Sequence, residues 1–262
     1  MRIYILTEEE PFYLPVSIDH ILAERGSDIV EVATVPTTYR GESSLRFVWR
    51  QFRFMGLRGF VLYGVDYARS KVLDCLDRIK VLSPKRPYSV AMACQRHNVL
   101  CREVADVNDA SFLERLRTLR VDVVVSLSCP QLFGKALIDL PPAGCLNVHS
   151  ALLPRYRGWL PTFWVLANGE TETGVTVQYM GCKIDEGDII LQRMVSITED
   201  DTLDSLIRRC KMVGADSLLK ALDLIEQGRV EPQPINIEEG SYYSFPTPEA
   251  VARFRARGRR FR

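Results

Sequence analysis

An amide and an imidazole stand two residues apart at Asn147 and His149, inside the run CLNVHSALLPRYRG of residues 145–158, and a carboxylate, Asp185, follows in the turn KIDEG of residues 183–187. These are the three groups needed to move an acyl group between two nitrogens. The tetrahedral intermediate of such a transfer carries a negative oxygen, and Asn147 can aim an amide N–H at it. His149 can hydrogen-bond the same oxygen while protonated and carry the proton from the incoming amine to the leaving nitrogen. Asp185 can hold a charged imidazolium or order a water that relays protons. This chemistry requires no metal, and no cluster with metal-ligand spacing stands in the sequence. Taken singly, each residue has a plainer reading: Asn147 as a turn cap, His149 as a hydrogen-bonded core histidine, Asp185 as a turn residue. Only the constellation points to catalysis. Cys129 and Cys145 lie near the presumed cleft, but nothing in the sequence pairs either with a base, which disfavours a cysteine nucleophile. His20 and His97 are assigned to structure.

Elements must bring these groups together. Alternate residues of an extended segment point the same way, so a strand ending near residue 149 presents Asn147 and His149 on one face. Open twisted sheets expose their chemistry at the carboxyl ends of their strands. Residues 2–6 read as a first strand, followed by the acidic loop TEEEP of residues 7–11 and an amphipathic helix over 16–25. That loop holds no glycine and three carboxylates, so it lacks a phosphate cradle and disfavours an NAD-type enzyme. Residues 29–35 alternate as a second strand, and VDVVVSL at 121–127 is apolar enough for a central parallel strand. Residues 173–179 and 188–197 predict two strands that pair, with Asp185 in the turn between them. Helices are expected over 67–79, 89–97, 111–119, 134–140, 162–167 and 202–227, with a short strand at 99–101. The pattern is α/β: a mostly parallel twisted sheet flanked by helices over residues 1–228, with a helical insert at about 41–83 and an extended, arginine-rich arm at 229–262.

Hydrophobic residues at 47%, charged residues at 26% and a net charge of +1 describe an ordinary globular chain without global attraction to nucleic acid or membrane. Seven cysteines, including Cys182, with no CxxC pair and no secretion signal predict reduced thiols and a cytoplasmic location. No apolar run approaches the roughly 18 residues of a membrane span.

Two basic segments stand out locally. In LRFVWRQFRFMGLRGFVLY at 45–63, Leu45, Val48, Trp49, Phe52 and Met55 fall at helical spacing, with Arg46, Arg50 and Arg53 on another face and Arg40 and Arg58 flanking. The stripe fits packing on its own domain or in a homo-oligomer, or contact with a lipid surface or RNA phosphates. Gly56, Gly59 and Gly64 are expected to restrict it to short helices. Prolines at 232, 234, 246 and 248 predict an extended course, and residues 251–262, with six arginines and no acid, predict a fraying, solvated tail. Weak RNA or membrane-surface contact is therefore expected through 40–58 and 253–262, leaving the protein cytoplasmic or peripheral to the membrane.

Asn147-x-His149 followed by Leu152-Leu153-Pro154, Arg157-Gly158, Thr173-Gly174 and Asp185-x-Gly187 resembles the 10-formyltetrahydrofolate-dependent formyltransferase family, whose members act on methionyl-tRNA, glycinamide ribonucleotide or amino sugars. The likeness is clear over about 121–197 and weaker over the first 35 residues. It implies a Rossmann-like formyltransferase fold, the catalytic trio Asn147, His149 and Asp185, and 10-formyltetrahydrofolate as co-substrate without a metal. The same resemblance implies a pteridine cleft formed by Leu127, Ser128, Cys129, Leu132, Leu152, Leu153, Pro154, Ile184 and Gly187. Ala151 departs from the serine that the family carries before Leu-Leu-Pro, with Ser150 one place earlier. The acidic first loop departs from the glycine-bearing loop of the glycinamide ribonucleotide enzymes. The roughly 30 residues after Gly228 are too few for the tRNA-binding barrel of the methionyl-tRNA enzymes. The expected acceptor is thus a small amine, with a nucleotide- or lipid-linked amino sugar ahead of tRNA formylation by a shortened enzyme. A non-catalytic RNA- or membrane-binding module and a donor hydrolase are the remaining alternatives.

Overall fold

In the computed structural model the described residues are 1–36, 44–181 and 183–262; Arg40, the start of the expected insert and Cys182 lie outside them. The chain runs β1 (Ile3–Thr7), α1 (Leu14–Arg25), β2 (Ile29–Thr34), α2 (Ser44–Arg78), α3 (Val90–Arg96), β3 (Cys101–Glu103), α4 (Ala110–Thr118), β4 (Val123–Leu127), α5 (Lys135–Ile138) and β5 (Cys145–His149). It continues through β6 (Arg157–Gly158), α6 (Pro161–Asn168), β7 (Glu172–Tyr179), β8 (Ile189–Ser196), α7 (Leu203–Glu226), a 3₁₀ turn at Ile237–Glu239, β9 (Tyr242–Tyr243) and α8 (Pro248–Ala256).

The main sheet has the order β3-β2-β1-β4-β5-β7-β8. Pairing is parallel from β3 through β5 and antiparallel for β5–β7 and β7–β8. This is a Rossmann-like α/β architecture. Chain order reverses between β1 and β4, the switch point of such sheets. Both strands there are buried along their whole length, which is why IYILT and VVVSL are nearly continuous apolar runs. Thr7 Oγ1 ties the pair at its carboxyl end by donating to Leu127 O at 2.8 Å.

Helices α1, α3 and α7 cover one face, where Ile18, Ile21, Leu22, Leu218 and Leu222 pack on Ile3, Ile5, Val123 and Leu146. Phe112, Leu116 and Leu137 of α4 and α5 cover the other face, over Tyr4, Leu6 and Val124. Helix α7 begins in a reciprocal cap, Ser205 N donating to Thr202 Oγ1 and Thr202 N to Ser205 Oγ.

Three expectations are corrected, for the tail, the insert and the short strand. The tail does not fray: Thr247 caps α8, Pro248 opens it, and Val251 and Phe254 are buried against α6. The tail arginines are used internally. Arg253 and Arg257 donate to Ala167 O at 3.2 and 3.1 Å, Arg255 to Met55 O at 3.2 Å and Arg259 to Thr198 O at 2.6 Å, while Arg262 pairs with Asp66. A run of arginines reads as solvated only until carbonyl groups at a helix end offer it partners.

The insert also differs. Only Gly56, at φ 73 and ψ 173, interrupts α2, and helix continues through Gly59 and Gly64 to Arg78. Leu45, Val48, Trp49 and Phe52 face solvent, whereas Phe54 is buried among Phe163, Phe245 and Phe261, with ring centroids 5.0–5.4 Å away. The short strand falls at Cys101–Glu103 rather than 99–101.

Candidate active site

Val148 packs against Gly214 of α7, so its neighbours Asn147 and His149 project from the opposite face of β5, at the strand's carboxyl end. Across the β5–β7 pair, Asn147 lies beside Gln178 and His149 beside Thr176. Asp185 comes from the β7–β8 loop, at φ 52. Gly187 lets that loop fold back: a Cβ there would sit 1.7 Å from Tyr179 O.

The structure brings the three expected groups together on one carboxylate. Asn147 Nδ2 donates to Asp185 Oδ1 at 3.1 Å, and His149 Nδ1 lies 3.5 Å from the same oxygen. Gly158 N donates to Asp185 Oδ2 at 2.8 Å. His149 Nε2 lies 2.8 Å from Tyr156 O, and because a carbonyl only accepts, Nε2 is the protonated nitrogen and Nδ1 is the one turned to Asp185. A proton arriving at Nδ1 would leave an imidazolium with both donors matched to acceptors. The Asn147 amide has a second N–H beyond the one given to Asp185.

Three contributors were not anticipated from the sequence: the Tyr156 carbonyl, the Gly158 amide and Gln178. Gln178 is 1% exposed, and its Nε2 lies 3.4 Å from Asp185 Oδ1. Among the described residues its Oε1 is buried without a hydrogen-bond partner. Backbone groups carry no side-chain signature, but Gln178 had one, a polar residue at the end of the alternating TGVTVQY strand.

The loop carrying Tyr156 and Gly158 is held by the C-terminal segment. β6 pairs in parallel with β9, Arg157 opposite Tyr242 and Gly158 opposite Tyr243, and Tyr156 N donates to Ser241 Oγ at 2.9 Å. Tyr243 stacks between Tyr156 and Trp164, with centroids 5.3 and 4.5 Å away.

The residues expected at the folate are placed unevenly. Ile184 and Gly187 share the Asp185 loop. Leu127 ends β4 buried, Ser128 follows in a left-handed conformation (φ 59) and accepts from Lys211 Nζ, Cys129 is half-buried and Leu132 is exposed. Leu152 and Leu153 are committed to packing: Leu152 lies against the Cα of Gly174, while Leu153 is buried, donates its N–H to Thr176 Oγ1 at 3.1 Å and precedes Pro154 through a cis bond. Ala151 is buried, its carbonyl accepting from Thr176 Oγ1 at 2.7 Å. Burial pushes the Cys129 and Cys145 thiols up to about 12, which keeps them from acting as nucleophiles.

The acidic first loop has a definite job. The Glu10 carboxylate accepts from the N–H groups of Phe12 at 2.7 Å, Tyr13 at 2.8 Å and Leu14, filling the amino end of α1 with an internal anion where a phosphate would otherwise bind. Burial pushes Glu10 above the usual carboxylate range, against the pull of those three amides.

Compared with known proteins, residues 70–222 match the family described as formyl transferase. The methionyl-tRNA formyltransferase of Pelobacter propionicus is 42% identical over 155 residues, covering 59% of this chain and 48% of that protein. That of Clostridioides difficile is 38% identical over 146 residues, covering 56% and 47%. The chain thus spans about half the length of the curated relatives it matches. A sugar N-formyltransferase from a Shewanella species superposes with a TM-score of 0.58 at 18% identity, over 94% of this chain and 77% of that one. A phosphoribosylglycinamide formyltransferase from Anaplasma phagocytophilum gives 0.61 at 16% identity, over 93% and 98%. At these identities the structural likeness is one of fold. Because the family match takes in more than half of its residues, the chain belongs to the formyl transferase family.

Proposed function

We propose that the protein transfers a formyl group from 10-formyltetrahydrofolate to the primary amine of a small acceptor, with a nucleotide- or lipid-linked amino sugar as the acceptor class. The carrying observation is the convergence of Asn147 and His149 on Asp185 Oδ1, at 3.1 and 3.5 Å. The amine nitrogen bonds to the formyl carbon as the C=O π pair moves to oxygen, where the second Asn147 N–H receives the charge. The amine proton passes to His149 Nδ1, and Asp185 and the Tyr156 carbonyl hold the resulting imidazolium. Collapse of the oxyanion breaks the bond to the folate nitrogen, which takes the proton back from His149. Asp185 stays an acceptor throughout, kept in place by Gly158 and Gln178. Ser128, Cys129 and Leu132 after β4 and Ile184 and Gly187 beside Asp185 are proposed to hold the pteridine, largely through backbone groups.

Glu10 in the α1 amino end supports an acceptor recognised through its amine rather than through a phosphate at the first loop. A second reading, formylation of methionyl-tRNA, is favoured by curated relatives at 36–42% identity. Incubation with the formyl donor and a panel of 3-amino and 4-amino nucleotide sugars, alongside charged initiator tRNA, should release tetrahydrofolate with a sugar. Release with tRNA alone, falling steeply with salt, would favour the second reading. Absence of release with every amine would sink both.

A further inference from the structure

Helix α2 is anchored on its inner side and apolar on its outer side. Phe54 sits in the aromatic cluster of α6 and α8, Tyr63 packs on Phe12 at 4.7 Å, and Asp74 accepts from Ser89 Oγ. Facing water, the half before Gly56 carries Leu45, Val48, Trp49 and Phe52, and the half after it carries Leu57, Val61, Val65 and Val72. Both sets follow helical spacing, and Leu45, Trp49 and Leu57 are 82%, 60% and 70% exposed. Such ordered stripes normally face a core, and here the core side is already filled by other residues.

The charges around the stripes have one sign. From residue 45 to 86 every residue that is both charged and exposed is a lysine or arginine, and Asp66, an acid with a well-exposed side chain, is paired with Arg262. Of the acids in that stretch Asp74 is buried, Asp77 is half-buried and Asp66 is neutralised by its ion pair with Arg262. Arg53 lies over the Trp49 ring at 5.1 Å and Lys71 over Tyr67 at 5.5 Å, so cations and aromatics share the outer surface. No helix of the described residues is long and apolar enough to cross a membrane.

We propose that the outer face of α2 docks on an anionic phospholipid bilayer, lying in the plane of the headgroups. Its apolar stripes enter the acyl boundary while the arginines and lysines extend to lipid phosphates. The one-signed charge selects this occupant. A second copy related by a two-fold axis would set cations against cations. RNA would satisfy the cations but leave the valines and leucines in water. The proposal does not depend on the acceptor's identity.

Flotation of the full-length protein with phosphatidylcholine vesicles, with and without phosphatidylglycerol, tests it. Binding should require phosphatidylglycerol, weaken as salt is added and shift tryptophan emission to the blue, a shift lost in Trp49→Phe. Arg53→Gln/Arg58→Gln/Arg69→Gln should reduce partitioning by about fivefold per cation, roughly a hundredfold in all. Leu57→Glu/Val61→Glu should abolish it, with circular dichroism unchanged in both variants. The proposal is overturned if the folded wild type ignores anionic vesicles, binds neutral vesicles equally well, prefers an RNA oligonucleotide, or sediments as a dimer that Leu57→Glu/Val61→Glu dissociates.

Discussion

Gly158 gives its backbone N–H to Asp185 Oδ2 at 2.8 Å, and its own conformation, φ +93, is one that glycine tolerates and other residues rarely adopt. A Cβ there would lie 2.3 Å from Tyr243 O, so Gly158→Ala must push β9 away or tilt the amide off the carboxylate. A hydrogen bond to a charged group contributes about 1.5–3 kcal/mol, so formyl transfer should fall by roughly 10- to 100-fold. Turnover and melting temperature measured together check this; lost activity tracking the unfolded fraction would refute it.

His149→Ala removes the proposed proton carrier and should lower kcat by about 10²–10⁴. Asn147→Ala removes the proposed oxyanion donor and should cost about 10²–10³. Single-turnover release of tetrahydrofolate separates these losses from donor binding. Near-normal rates in either variant would exclude the proposed roles.

Gln178 should matter through Asp185. Gln178→Ala removes a contact at 3.4 Å and opens a small space, with a loss of roughly tenfold expected. Gln178→Glu should be worse, because it sets a second carboxylate against Asp185 in a buried site. Equal rates for the two variants, measured at saturating donor, would contradict this.

Phe254→Ala deletes a fully buried ring that stacks on Phe163 at 5.2 Å, and should destabilise the protein by about 3–5 kcal/mol. Chemical denaturation measures it. A change below about 1 kcal/mol would return the tail to the solvated state that its arginines suggest.

Burial alone would raise the Asp201 carboxyl, but the Arg209 guanidinium, the Thr198 N–H and the Ser205 hydroxyl outweigh it and hold the group well below the usual carboxylate range. A depressed folded-state pKa contributes stability that is complete above the unfolded value of about 3.9 and is lost as pH falls below it. Asp201→Asn should therefore melt lower than wild type at neutral pH, with the gap narrowing below about pH 4. A gap independent of pH would show that packing, not charge, carries the effect.

The parts of the site legible in the sequence were those where side-chain type and strand alternation act together. Asn-x-His at the end of an apolar run specified one face of a strand, and the two alternating runs around Asp185 specified a hairpin that returns the carboxylate to it. Periodicity in α2 identified a face but not what that face meets, and Phe54, Ser70 and Asp74, buried and outside the stripe, mark the side that packs inward. Gly56 kinks the helix while Gly59 and Gly64 do not, because only Gly56 takes a left-handed φ. In the tail, Thr247-Pro248 was a start signal and Val251 and Phe254 an apolar face, both masked by the arginine count.

The pairing of β6 with β9 ties the site to residues 85 positions further along the chain. Residues 241–243 thus bear on Asp185 without touching it, by fixing the loop whose Gly158 amide meets the carboxylate.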